Sequence, residues 1–381
     1  MKRIWIISLV LLVAFTFSPL TAQTAAPVKV QVVFVLDTTG SMSSLIDAAK
    51  EKIWAIAGTL ATAEPAPDIS MGLLAYRDRQ DEYITKLTAL TPDLDAVYSN
   101  LMDFRASGGG DGPESVNQAL AEAVGKFEWD PNPAVYKVIF LVGDWPPHMD
   151  YRDDVKYPVS SRNAKAHGII VNTIQMGNQA ETAKIWKEIA RITGGEYYQV
   201  GHENLAVHYE TPFDAEIAEL AKEYDATRVY YGTPEAQSAV RNKREHEEKL
   251  YKEAPDSVIA QRNMYNLSEA GKTNFSGSYD LVDQVMNGEV TVEDIKNDEL
   301  PAELKTLSAE ERKRFIEEKI RVRKEYEAQL TVLNEKRQAY IRELVKKNAD
   351  HEENSFDTQV YRGLKKQGAE KNLHLDKGMS Y

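Results

Sequence analysis

Asp37, Thr39 and Ser41 place one carboxylate and two hydroxyls on alternate residues. Asp144 stands at a comparable point later in the chain, directly after the apolar run VIFLVG. Alternate residues of an extended turn share a side, so the three oxygens of the first set can converge. Small hydroxyls bring neutral oxygen close without crowding. Oxygen-only ligands with few carboxylates suit Mg2+, which keeps several of its waters; Mn2+ and Ca2+ are the alternatives. The chain has no cysteine. Thiolate metal sites, disulfides and thiol nucleophiles are thereby excluded.

These residues need elements that bring them together. Val32 to Leu36 is uninterrupted apolar sequence, the mark of a strand covered on both faces. It ends at Asp37. Apolar residues at Leu45, Ala49, Ile53, Ile56 and Leu60 then follow helical spacing. Further strands are expected over Ile69–Tyr76, Tyr83–Leu90, Tyr136–Val142, Gly168–Ile174 and Glu196–Val200. Helices are expected over Leu94–Phe104, from Pro113 to about Phe127, over Glu181–Ile192 and around Phe213–Tyr224. Strands alternating with helices predict an α/β fold, a doubly wound, mostly parallel sheet with helices on both faces. In such sheets ligands bind beyond the carboxyl ends of the strands, where strand order reverses. If the strands ending at Asp37 and Asp144 are neighbours at that reversal, both carboxylates point into one crevice.

At these residues the sequence resembles the von Willebrand factor A (vWA) domain, over roughly residues 28–225. That family's metal-ion-dependent adhesion site uses Asp-x-Ser/Thr-x-Ser after the first strand, a Thr from a second loop and an Asp from a third. Asp37-Thr38-Thr39-Gly40-Ser41 matches the first element and Asp144 the third. The second loop departs from the pattern and reads GGGDGPES. It looks like the branch seen beside atypical alpha-kinase domains and in secreted bacterial proteins. The resemblance implies a metal set of Asp37, Thr39, Ser41, Asp111 and Asp144, with Glu114 as the rival to Asp111. A third carboxylate would make the site formally negative around a divalent ion, which weakens its pull on an external acid. Each residue also has a plainer role: Asp37, Thr39 and Ser41 as helix caps, Asp111 as a turn residue, Asp144 as a loop cap. His148 and Asp150 lie near Asp144 and are taken as rim residues. Arg77-Asp78-Arg79 is expected to form salt bridges at the crevice mouth.

The 381 residues exceed one ordinary core, so two units are expected. With 59 acidic against 46 basic residues the net charge is −13, which argues against nucleic acid as a partner. Lys2 and Arg3 followed by the apolar run Ile4–Phe17, Pro19 and Leu20-Thr21-Ala22 read as an export signal over 1–22. The mature chain is expected in a bacterial periplasm or outside the cell, without a membrane span. The vWA domain is placed at 28–230, a helical, partly coiled-coil-like region at 231–350, and a polar tail at 351–381. One helix is expected near Glu235–Tyr251 and a long one over Ala302–Lys347. In the long helix a heptad frame puts Ile316, Leu330 and Leu344 at a, with Tyr326, Leu333 and Tyr340 at d. The same frame puts Arg323 and Arg337 at a, so a helix hairpin or a helix docked on the first domain is an equal expectation. His-Glu-x-x-His, Gly-x-Ser-x-Gly and phosphate-loop signatures are absent. The expected function is therefore metal-dependent binding of a protein that offers an acidic side chain, not catalysis. The alternative is a structural or assembly protein whose C-terminal helices make the contacts; a metal-dependent hydrolase using His148 ranks below both. The partner and the oligomeric state are not readable from these residues.

Overall fold

The computed structural model describes residues 27–110, 112–201, 209–347 and 355–380. The segment expected to be an export signal, and Asp111, lie outside the described residues.

Six strands form one sheet: β1 (Lys29–Asp37), β2 (Asp68–Tyr76), β3 (Thr85–Thr91), β4 (Tyr136–Gly143), β5 (Ile169–Met176) and β6 (Tyr197–Val200). Their spatial order is β3-β2-β1-β4-β5-β6. All neighbours are parallel except the edge pair β2 and β3. The chain leaves β1 toward β2 and later returns to pair β4 on the other side of β1. The order therefore reverses between β1 and β4, as the motif requires. β1 and β4 are apolar almost throughout because both of their faces are covered.

One face carries α1 (Ser43–Ala61) and α2 (Leu94–Met102); the other carries α3 (Val116–Gly125), α4 (Tyr157–Ala166) and α5 (Ala180–Thr193). α4 is absent from the sequence expectation. Its residues YPVSSRNAKA bury Tyr157 and Ala164 but otherwise Ser160 and Ser161, so no apolar stripe announces it. α6 (Asp214–Asp225) closes the vWA-like part.

The remaining chain packs back on the first face. α7 (Pro234–Glu253) is followed by α8 (Asp256–Asn266), then the short helices α9 (Lys272–Ser276), α10 (Leu281–Met286) and α11 (Ala302–Lys305). α12 (Ala309–Lys347) is the predicted long helix, starting later than expected. Its a-position stripe is buried as framed: Ile316, Arg323, Leu330 and Arg337 all face protein. The two arginines face carboxylates of the same chain rather than a coiled-coil partner. Arg323 lies 2.6 Å from Asp280 and Arg337 donates to Asp214 at 2.7 Å. The stripe is covered by α6, α8 and α10 of the same chain.

The expectation of a polar tail is corrected. α13 (Phe356–Ala369) docks on the sheet domain. Val360, Leu364, Leu373 and Leu375 enter the core between charged neighbours. Gln367 exchanges hydrogen bonds with Asn172 (2.7 and 2.9 Å) and accepts from Tyr136 at 2.8 Å.

A buried ionic network binds the extension to the sheet domain. Arg262 of α8 forks onto Asp95 of α2 at 2.6 and 2.8 Å and donates to Asp225 at 2.8 Å. Lys243 of α7 reaches Asp93 and Asp95, both at 3.2 Å. Arg228 forks onto Glu247 at 2.7 and 2.8 Å. Burial opposes ionisation of Asp95, but Arg262 and Lys243 outweigh it and hold the carboxyl well below the usual range. Removing one member of such a network leaves an uncompensated buried charge. Arg262→Ala is therefore expected to cost about 3–5 kcal/mol in urea unfolding. Arg321→Ala, which breaks exposed pairs to Glu318 and Glu325, is expected to leave the unfolding midpoint nearly unchanged. Equal costs for the two would contradict the network's role.

Candidate metal centre

The crevice forms where β1 and β4 end side by side. Leu36 pairs with Val142, so Asp37 and Asp144 follow on neighbouring strands. Gly143 makes the approach feasible. A Cβ there would lie 2.3 Å from the Tyr76 hydroxyl and 3.3 Å from Asp37 Oδ2. Tyr76 is tied down by donating to the Val142 carbonyl at 3.1 Å.

Asp37 is fully buried. Its Oδ1 accepts from the Thr39 backbone at 2.9 Å and from Thr39 Oγ1 at 2.7 Å, while Oδ2 has no hydrogen-bond partner. Thr39 Oγ1 lies 3.4 Å from Ser41 Oγ. The three residues of the first motif thus sit on one side, and Ser41 opens to solvent. Asp144 is half-buried with Oδ1 unpartnered, and its carbonyl accepts from Thr182 at 2.9 Å.

The second loop is laced to the first by backbone bonds from Gly40 to the Gly108 carbonyl and from Ser107 to the Thr38 carbonyl, at 3.2 and 3.1 Å. Gly108 and Gly109 take left-handed conformations (φ +79° and +75°), which other residues adopt only at a cost. Of the two rival acids, Asp111 lies outside the described residues, and the structure places Glu114 in the crevice. Glu114 is 2% exposed, and its Oε2 has no partner. Its N–H donates to the Pro146 carbonyl and its carbonyl accepts from His148, both at 3.0 Å. The second loop is thereby pinned to the segment after Asp144.

The charges press on one another. Burial, then the Asp144 carboxylate, pushes Asp37 up to about 7. Burial, then Asp37, Asp78, Asp144 and Asp81, pushes Glu114 up to about 9. Three buried oxygens without partners, on Asp37, Glu114 and Asp144, are the kind a divalent cation would satisfy. Among the described residues no three carboxylate or imidazole groups converge closely enough to hold an ion by themselves.

His148 is not a solvent-facing rim residue. It is 6% exposed, with Nδ1 2.8 Å from Asp150 and Nε2 3.4 Å from Asp78. Its ring stacks on Tyr151 at 4.1 Å, and Arg79 covers the same tyrosine. Arg77 and Arg79 form the expected salt bridges, to Glu82 and to Asp153 and Asp154. Asp78, which had no separate role in the sequence reading, braces the crevice wall. It accepts from Ser115 and Tyr151, each at 2.7 Å. Its position at the end of the strand next to β1 was the available signal.

Residues 31–202 match the family model of the von Willebrand factor A domain, and the fold of this part of the chain is vWA-like. Solved structures to which part of this chain is similar include the SpRpn10 VWA domain, at 12% identity and a TM-score of 0.35, covering 46% of this chain and 88% of that one. Another is proximal thread matrix protein 1 from the mussel byssus, at 15% identity and a TM-score of 0.37, covering 47% of this chain and 43% of that one. Likenesses this distant carry no functional argument. No curated protein matches the sequence.

The carboxyl shifts give a pH dependence with a definite sign. A carboxyl whose folded-state pKa lies above its unfolded value binds more protons when folded, so stability falls as pH rises between the two values. In chelator, Asp37 is expected to cost on the order of a few kcal/mol between about pH 4 and 7. Glu114 extends the loss toward pH 9. The thermal midpoint should therefore drop across this range, and Asp37→Asn should flatten the drop. An unchanged slope in Asp37→Asn would contradict the assignment.

Proposed function

We propose that the crevice holds one divalent cation, Mg2+ first and Mn2+ or Ca2+ as alternatives, and that the chain uses it to bind a partner protein. The observation that carries this reading is the pair of unpartnered carboxylate oxygens of Asp37 and Asp144 at the strand reversal, with the buried, unpartnered Glu114 carboxyl on the loop pinned beside them. Asp37, Thr39, Ser41 and Asp144 would hold the ion, in the manner of a metal-ion-dependent adhesion site, with Asp111 or Glu114 contributing from the second loop. Bound there, the ion would supply positive charge to residues that otherwise repel one another, and a coordination position for an acidic side chain of the partner.

The surroundings favour protein as the ligand. Of eight exposed large apolar residues among the described ones, Trp145, Met149, Val155 and Val159 fall in the segment that follows Asp144. Trp145 packs over Gly112, where a Cβ would come within 2.6 Å of its ring. An acidic residue flanked by bulky apolar ones would complement both the cation and this rim. With Glu114 charged beside Asp37 and Asp144, the site would be formally negative around a divalent ion, so the apolar rim would supply much of the affinity.

A binding role fits the enclosure of His148, whose Nδ1 lies 2.8 Å from Asp150 and whose ring is stacked on Tyr151 away from solvent. Lys2, Arg3 and the apolar run after them support export. Among the described residues no helix is long and apolar enough to cross a membrane. The rival reading, contacts made by the C-terminal helices, finds support in the exposed Val332 and Tyr340 of α12.

Affinity capture of extracytoplasmic proteins on the immobilised full chain separates the two. Partner retention is expected in Mg2+, lost in EDTA and in Asp37→Ala, and weakened about tenfold or more in Trp145→Ala. Retention that survives EDTA and Asp37→Ala but fails in Tyr340→Ala would transfer the role to α12.

A further inference from the structure

Between α7 and α11 lies a cavity of about 280 Å3 that shares no residue with the metal crevice. Arg241 and Arg244 line it from α7, and Lys305 from α11. Arg241 and Arg244 are one helical turn apart, and Gln237 precedes Arg241 by another, so the three share a face. The only carboxylate among the lining residues is Glu303. Three cations against one anion is a local reversal in a chain of net charge −13.

The two guanidiniums differ from most other arginines of the extension. Arg262, Arg312, Arg321, Arg323 and Arg337 each have an ion pair or hydrogen bond. Arg241 and Arg244 are exposed and make neither among the described residues. Arg244 is nonetheless positioned: its guanidinium lies 5.3 Å from the centroid of the Tyr230 ring. That ring is nine-tenths buried, its backbone is bridged to Asp280, and its phenol oxygen has no hydrogen-bond partner. Leu300 and Pro301 supply an apolar wall. A concave wall with two unpaired planar forks, an ammonium and an amide is a donor-rich surface matched to carboxylate or phosphate oxygens.

We infer that this cavity is a second binding site, one that takes a small multivalent oxyanion, a phosphate or a di- or tricarboxylate. The site acts through Arg241 and Arg244, with Lys305 closing the opposite side. Glu303 opposes the ligand and sets an upper limit on affinity.

Calorimetric titration of the full chain with inorganic phosphate and with citrate, at constant ionic strength and with chloride as the control, tests this. Saturable binding of at least one probe is expected, and the tighter one tells phosphate from carboxylate recognition. Arg241→Ala and Arg244→Ala are each expected to weaken it about tenfold, and Glu303→Gln to tighten it. All three side chains are exposed, so circular dichroism should be unchanged. No saturable signal beyond chloride, or equal affinity in the Arg241→Ala/Arg244→Ala double variant, would overturn the inference.

Discussion

Two carboxylates, Asp37 and Asp144, are forced together at the ends of adjacent parallel strands, and the structure around them is arranged to keep them there. Burying like charges side by side is costly, and proteins avoid it unless a proton or a cation intervenes. Here the surrounding contacts lock the pair in place. Gly143 removes the side chain that would separate the strands, Tyr76 fills the space beneath, and the Thr39 amide and hydroxyl hold one oxygen of Asp37. Glu114, fastened by two backbone bonds to the loop after Asp144, adds a third acid to the same pocket. Such accumulation of negative charge is difficult to explain by packing alone. It is readily explained if the crevice serves as a cation site.

The C-terminal extension is integrated with the sheet domain rather than appended to it. Its helices meet the sheet domain through charged side chains that are fully enclosed, with Arg262 at the centre. Ion pairs of this kind give orientation more than net stability, because desolvation consumes most of their attraction. α2, which carries Asp95 and is capped by Asp93, leads into the glycine loop of the crevice. The extension thus braces the element that delivers the second loop. The apolar stripe of α12 is used up in the same packing, except at positions such as Val332 and Tyr340.

The α/β class with its mostly parallel sheet was legible because it rests on signals that sequence carries well, uninterrupted apolar strands alternating with helices; the adjacency of the strands that end at Asp37 and Asp144 stood only as a condition, since strand order leaves no mark in the sequence. α8 was not legible. It buries Gln261, Arg262, Asn263 and Asn266, residue types that read as surface, and only their partners in distant helices reveal why. α4 and α13 were missed for a related reason, since few apolar residues mark them. Arg323 and Arg337 weakened the coiled-coil reading, and the structure shows why they occupy a positions: each has its carboxylate on a neighbouring element. Glu114 was named only as a rival to Asp111, because depth of burial in a loop leaves no periodic trace. His148 looked like a rim residue for the same reason, although it is enclosed between two acids.

The most direct measurement is isothermal titration of Mg2+ into the metal-free full chain near neutral pH, beside Asp37→Asn and Asp144→Asn. The account predicts one saturable site in the unaltered chain and its loss in both variants. Absence of saturable binding in the unaltered chain, or binding of the same strength after either substitution, would contradict it.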